Sequence, residues 1–227
     1  MDNSEIRRIE VIFEDENILA VNKPAGLPVL PDGWDPKAPY LLEILSNDHR
    51  KLWVVHRLDK LTSGVVLFAI NAEAHRFLNI QFEHHRINKV YHAIIEGVPN
   101  WISITCDQPL RMNVGHSHKT VVDIKLGKPS STTFNLLDTN NKFSLIEALP
   151  KTGRTHQIRA HLSNIGFPIL GDSLYGGHGN KFISRMALHS YSISFEDMNT
   201  DQHQTITASY PIEFSRALSL LGLSLEK

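Results

Sequence analysis

Apolar and polar positions alternate with two different periods along this chain, and the changes of period mark out its elements. VIFEDE and ILAVNKP are short apolar runs on either side of the turn formers Asp15 to Asn17, so two short strands are predicted. Pro24 and Gly26 end the second of them in a loop. WDPKAPY (34–40) reads as a polar, proline-broken connection. Leu52 to Leu58 and Val65 to Ile70 are valine-rich runs, read as buried strands around a polar turn. After Asn71, a good N-cap, Ala74, Phe77, Leu78, Gln81 and Phe82 fall at helical spacing and predict an amphipathic helix over 72–86. The period then drops to two: in KVYHAIIE, Tyr91, Ala93 and Ile95 share one strand face, and Val90, His92 and Ile94 the other. FSLIEAL (143–149) is a further strand, followed by the turn Pro150 to Gly153. Thr155 is the expected cap of a helix striped by Ile158, Leu162 and Ile165, with Gly166 and Pro168 placed to stop it. Hairpin-like pairs outnumber strand-helix-strand units, which favours an α+β fold with a mixed, mainly antiparallel sheet and flanking helices.

Composition narrows the class. The 227 residues, 41% hydrophobic and 21% charged, suit one globular domain over 1–227. Lone Cys106 allows no internal disulfide, and no set of cysteines is present to hold a structural zinc. The N-terminus lacks a signal-type apolar region, and no stretch approaches the ~18 to 20 uninterrupted apolar residues of a membrane span. A cytoplasmic protein without a membrane partner is therefore expected.

Charge is unevenly spread. Residues 1–48 hold 4 Lys and Arg against 10 Asp and Glu, residues 49–185 hold 17 against 9, and residues 186–227 hold 2 against 5. The middle is thus basic, at net +8, and the ends acidic, although the whole chain carries only -1. A basic face that neutralises phosphates fits this pattern, as does chance clustering on solvated surfaces.

Two polar clusters can carry chemistry. In HRLDKLTSG (56–64), alternation along an extended run puts Arg57 and Asp59 on one side of a strand end and His56 and Leu58 on the other. A guanidinium beside a carboxylate keeps the latter ionised. The plainer alternative is a structural ion pair, with Thr62 and Ser63 capping backbone groups. In KTGRTHQIRAHL (151–162), Arg154 stands ahead of a helix start, where free N–H groups favour anions. Arg159 flanks the apolar stripe and can reach a carboxylate on a neighbouring strand, or simply snorkel from a surface helix. The thirteen histidines include the pairs His84 and His85, His116 and His118, and His156 and His161, but no HExxH-type spacing, so no metal is expected. Cys106 has no basic helix start nearby to activate it and reads as buried. No phosphate-binding glycine motif implies a nucleotide cofactor.

VNKPAGL (21–27), HRLDKLTSG (56–64), RINKVYHA (86–93), GKPSSTTF (127–134), TGRTHQIRAHL (152–162) and GFPILGD (166–172), in this order, resemble the RluA-type RNA pseudouridine synthase family. The match runs from about residue 9 to about 192, and the longest motifs, HRLD with TSG and GRTHQIR, are the most specific.

The resemblance implies a central mixed sheet, outer helices and a basic cleft. It also implies isomerisation of uridine in RNA, in which the N1 to C1' bond breaks and the base rejoins through C5, with no cofactor. Carried over by position, the essential aspartate is Asp59, the active-site tyrosine Tyr91 and the arginine that pairs with the aspartate Arg159. Arg57 matches the arginine that helps displace the target base. His56, Thr62, Arg154, His156 and Gln157, in the same two motifs, are the further candidate substrate-binding residues.

This chemistry is consistent with the residue types. A base flipped out of an RNA stack leaves a space that a planar cation can fill. A carboxylate near C1' serves either as nucleophile or as the base that removes the 2' proton, and both routes stay open. A tyrosine supplies a ring to stack on uracil and a hydroxyl near C5. No second carboxylate lies within the motif to support hydrolysis by an acid and base pair, and Asp172 in ILGD reads as a turn-closing residue. Only about eight residues precede the first strand, so no S4-like domain is expected. RNA recognition would then rest on the catalytic domain and RMNVGHSHKT (111–120). The expected partner is structured RNA, ribosomal or transfer, bound by a monomer. The acidic segment from about 193 to 227, ending in LGLSLEK, has no assigned role. An RNA-binding module without turnover and a metal hydrolase are the alternatives.

Overall fold

The computed structural model describes residues 9–33, 35, 37–46, 51–117, 119–200 and 202–225. Trp34 and Pro36 of the proline-broken connection, His118 of the 111–120 segment, the last two residues of LGLSLEK and the first eight residues lie outside that set. In chain order the elements are β1 (Glu10–Glu14), β2 (Ile18–Lys23), α1 (Leu41–Ser46), β3 (Trp53–Val54), β4 (Ser63–Ala69), α2 (Ala72–Glu83), β5 (Asn88–Glu96) and β6 (Ser103–Cys106). They continue with β7 (Leu110–Val114), β8 (Lys119–Val122), β9 (Thr132–Thr139), β10 (Phe143–Pro150), α3 (Gln157–Asn164), β11 (Leu188–Glu196), β12 (His203–Thr207) and α4 (Ile212–Leu221). Few helices and mostly antiparallel pairings make this the expected α+β fold. The chain divides into two compact units, one comprising residues up to Asn88 with Ser190–Ser209, the other Lys89–His189 with the residues from Tyr210 onward.

In the first unit the strand order is β1-β2-β4-β11, with β3 beside β4 and β12 beside β11. β1 and β2 form the hairpin expected around Asp15, whose Oδ1 accepts the N–H groups of Asn17 and Ile18. Every residue of β4 is buried, as an unbroken apolar run requires. α2 packs Ala74 and Leu78 into a core with Ile18, Val65, Leu67, Ile193 and Phe195. Its cap is the expected one, because Asn71 Oδ1 accepts Ala74 N–H, although the helix ends at Glu83 rather than 86. The strand expected over Leu52 to Leu58 shrinks to two residues, with Trp53 opposite Ala69 and Val54 opposite Phe68. His56 Nε2 accepts Leu67 N–H at 2.9 Å, so a side chain takes a β4 donor and the chain leaves the ladder.

In the second unit the order is β5-β10-β9-β6, antiparallel throughout, and β7 pairs with β8 as a separate hairpin. Ala93, Ile95, Phe134, Ile146, Ile158, Leu162 and Met186 form its core. The acidic C-terminal segment is no solvated tail: α4 sinks Phe214, Ala217, Leu218 and Leu221 into that core, and Gly222, in the left-handed region, caps it. α3 stops where expected. Gly166 N–H donates to Ser163 O and Phe167 N–H to Leu162 O, the paired bonds of a glycine-terminated helix. Its start differs from expectation, since His156 rather than Thr155 occupies the cap, in the left-handed region at φ 54° and without a side-chain cap bond. The buried Gln157 side chain takes over the work of fixing that entry, as described below.

Candidate active site

In the first unit, Arg57, Asp59 and Thr62 lie on the loop between β3 and β4 rather than at a strand's end. The alternation survives in their burial: Arg57 is exposed, Leu58 buried, Asp59 partly exposed and Thr62 buried. Thr62 N–H donates to Asp59 O and closes the turn. His56 anchors the entry through Leu67 N–H, so its Nε2 carries no proton, and its ring stacks on Phe82 at 5.2 Å.

Lys23, fully buried at 0% exposure, fixes the turn from below. Its ammonium donates to Pro24 O and Leu27 O, both at 2.8 Å, and to Lys60 O at 3.2 Å. Gly26 N–H also donates to Lys60 O. The KPAG loop is thereby bonded to the residue after Asp59. A buried charge is tolerable only with such partners, so Lys23 specifies one position for this turn. At the exit, Gly64 adopts φ +112°, and a Cβ there would run into the backbone of Ser190 on β11.

In the second unit, Tyr91 is half-buried on β5, opposite Ala148 of β10. Lys89, two residues earlier and so on the same strand face, donates from Nζ to Thr152 O at 3.2 Å. Burial lowers its pKa to about 8. Gln157 organises the TGRTH turn: its Oε1 accepts Thr152 Oγ1–H and Arg154 N–H, while its Nε2 donates to Ser131 O and Thr132 Oγ1. Arg154 Nε donates to Pro129 O.

Arg159 is buried. Its Nε donates to Asp172 Oδ2 at 2.7 Å and its Nη2 to Asp172 Oδ1 at 2.9 Å, a two-pronged pair. Asp172 closes its turn as expected, its carbonyl accepting Tyr175 N–H and Gly177 N–H, but its carboxylate has this second task. The first loop thus gathers His56, Arg57, Asp59 and Thr62. The start of α3 gathers Arg154, His156, Gln157 and Arg159. Lys23, Asp172 and Tyr175 escaped the sequence reading as parts of these clusters; the signals available were a lysine closing an apolar strand and an Asp-x-x-Tyr turn after GFPIL.

Cys106 is buried and its thiol is pushed up to about 11, mainly by desolvation, which makes a poor nucleophile. Among the described residues, no group of three or more His, Cys, Asp or Glu side chains is arranged to hold a metal ion. Among the same residues no helix is long and apolar enough to cross a membrane.

A model of the RNA pseudouridylate synthase family matches residues 17–164. The chain belongs to this family. An uncharacterized RNA pseudouridine synthase of Zymomonas mobilis is 38% identical over 206 residues, covering 89% of this chain and 93% of that protein. The dual-specificity RNA pseudouridine synthase RluA of Vibrio vulnificus is 36% identical over 200 residues, 82% of this chain and 77% of its own. Among solved structures, human RNA pseudouridylate synthase domain containing 4 superposes with a TM-score of 0.79 at 24% identity, covering 95% of this chain and 94% of that one, a likeness of fold. As a pseudouridine synthase the chain is an isomerase that converts uridine to pseudouridine in RNA. The family match spans both HRLDKLTSG and TGRTHQIRAHL, so the two loops built above fall within it.

Proposed function

We propose that this pseudouridine synthase modifies uridines in ribosomal or transfer RNA in the cytoplasm, as a single-domain monomer, with Asp59 as its essential carboxylate. The ribosomal large-subunit name of one relative supports the ribosomal class, and the dual-specificity name of another supports action on more than one RNA site. The observation that carries the assignment to Asp59 is the turn around it. Lys23, Gly26 and Thr62 all bond to the backbone at Asp59 and Lys60, which holds the carboxylate on a fixed and partly exposed loop.

In the reaction the N1 to C1' bond breaks, C5 bonds to C1', C5 gives up its proton and N1 gains one. Asp59 acts at the sugar or base as nucleophile, or takes the 2' proton on a glycal route. Arg159 is the arginine that the family resemblance assigns as its partner, Tyr91 stacks on the uracil and assists removal of the C5 proton, and Arg57, exposed beside Asp59, occupies the space left by the flipped base. His56, Thr62, Arg154, His156 and Gln157 contribute to binding mainly by shaping the two loops. The test is tritium release from unmodified transfer and ribosomal RNA carrying 5-tritiated uridine. Release by wild type and none by Asp59→Ala is expected; equal release by both would remove Asp59 from the chemistry.

A further inference from the structure

Tyr175 lies where three pieces of the second unit meet, and nothing in the proposed reaction uses it. Its ring is nearly fully buried, with the Arg159 guanidinium carbon 4.8 Å and the Lys119 ammonium 4.7 Å from its centroid. Thr120 N–H, at the start of β8, donates to its hydroxyl at 2.8 Å, and His156 Nδ1 stands 3.1 Å from the same oxygen. A phenol has one proton to give and lone pairs to accept, so both contacts form at once when the hydroxyl accepts from Thr120 and donates to His156. Burial raises the phenol's pKa, which keeps that proton in place. Tyr175 N–H donates to Asp172 O, so the residue beneath Arg159 and the residue gripping it belong to one turn.

We propose that Tyr175 is a positioning residue: with Asp172 it fixes the Arg159 guanidinium, and through its hydroxyl it ties the β7–β8 hairpin to that arginine. This rests on the reading of Arg159 as the partner of the essential aspartate. Asp172 holds the fork at its edge, and the aromatic ring 4.8 Å from the guanidinium carbon supports it from its face. The hydroxyl then makes the position of the hairpin and the position of Arg159 a single structural event. A hairpin displaced at Thr120 drags the ring that supports the arginine, and RNA held on the hairpin steadies it.

The test compares wild type, Tyr175→Leu and Tyr175→Phe by two readouts. One is hydrogen exchange of the Arg159 Nε–H, followed by nitrogen-15 NMR and assigned with Arg159→Lys. The other is single-turnover tritium release at increasing protein concentration. In Tyr175→Leu the Arg159 proton exchanges faster, and the saturating rate falls by between about tenfold and a hundredfold, the scale of a misplaced catalytic contact. Tyr175→Phe restores the Arg159 signal and most of the rate. It still needs about threefold or more protein for half-saturation, because the hairpin is untethered while the ring remains. A folded Tyr175→Leu protein with native exchange and native rate overturns the proposal. Should that variant not fold, Tyr175→Phe decides, and half-saturation identical to wild type overturns it. Failure of wild type to release tritium from any RNA would sink the reaction assignment instead, and the exchange readout would still show whether Tyr175 fixes Arg159.

Discussion

Asp172 grips Arg159 with both carboxylate oxygens, and neither side chain is more than 8% exposed. Removing one member strands the other in a dry interior. Arg159→Ala is expected to cost about 3–5 kcal/mol of stability, the scale for a broken buried pair. The measurement is urea denaturation, and an unchanged midpoint would mean that the pair contributes nothing to the fold. Asp172→Asn keeps the shape and one acceptor, so its loss should be smaller, while its tritium-release rate should still fall.

The turn at Asp59 is closed by Thr62 N–H on the Asp59 carbonyl and by Gly26 N–H and the Lys23 ammonium on the Lys60 carbonyl, bonds that replacing the Asp59 carboxyl leaves in place. Asp59→Asn should therefore leave the thermal midpoint and RNA affinity close to wild type while abolishing turnover. A filter-binding assay beside the tritium assay separates the two effects, and weakened binding in step with lost turnover would assign Asp59 to RNA binding instead.

Lys23 offers a test of how the loop is held. Lys23→Met preserves much of the volume but removes three donated hydrogen bonds and leaves buried carbonyls unsatisfied, which should cost about 2–4 kcal/mol. The folded variant should also lose turnover, since the Asp59–Thr62 turn that carries the carboxylate loses its footing. Full activity in Lys23→Met would show that the turn is positioned by other contacts.

Gly64→Ala collides with the backbone of Ser190 and forces a side chain into a positive-φ conformation. Backbone has nowhere to retreat in a fully buried strand, so loss of about 3 kcal/mol or more is expected, read as low soluble yield and a depressed melting temperature. A normal melting temperature would mean that β4 and β11 separate readily at this end.

His92 is buried on β5, bonded through Nδ1 to the hydroxyl of Tyr210, and its pKa is lowered to about 4 by desolvation. The folded protein therefore binds this proton less readily than the unfolded chain, whose imidazole titrates near 6.5. Its neutral form stabilises fully above about pH 6.5, and that contribution drains away as pH falls towards about 4, by at most roughly 3 kcal/mol in all. The difference in stability between wild type and His92→Gln should narrow across that window. A constant difference would contradict the assignment.

What the sequence made legible was local. The β1–β2 turn at Asp15, the Asn71 cap and the Gly166 stop each depend on residues within a few positions of one another. Contacts across larger gaps carry no such signature: Lys23 reaches Lys60, and Arg159 meets Asp172 thirteen positions on. His56 explains the shortened strand, because apolar periodicity does not register a side chain that competes for a backbone donor. In α4 the apolar positions Phe214, Ala217, Leu218 and Leu221 do stand at helical spacing, but weighing that segment by its net charge hides them. At the candidate site, Asp59, Tyr91 and Arg159 stand in motifs that the sequence displays. Their supports, Lys23, Asp172 and Tyr175, were not legible as supports, since each acts through a fold-dependent neighbour.

Each compact unit is discontinuous in sequence, the first borrowing Ser190–Ser209 and the second the residues from Tyr210 onward. During synthesis at about 5–20 residues per second, an N-terminal unit lacking β11 and β12 must wait roughly five to twenty seconds for its last strands to leave the ribosome. Until then β3 and His56 cover β4 only from Leu67 to Ala69, and the part that β11 will pair stays an open edge, so the point of greatest exposure to wrong pairing comes before the chain is finished.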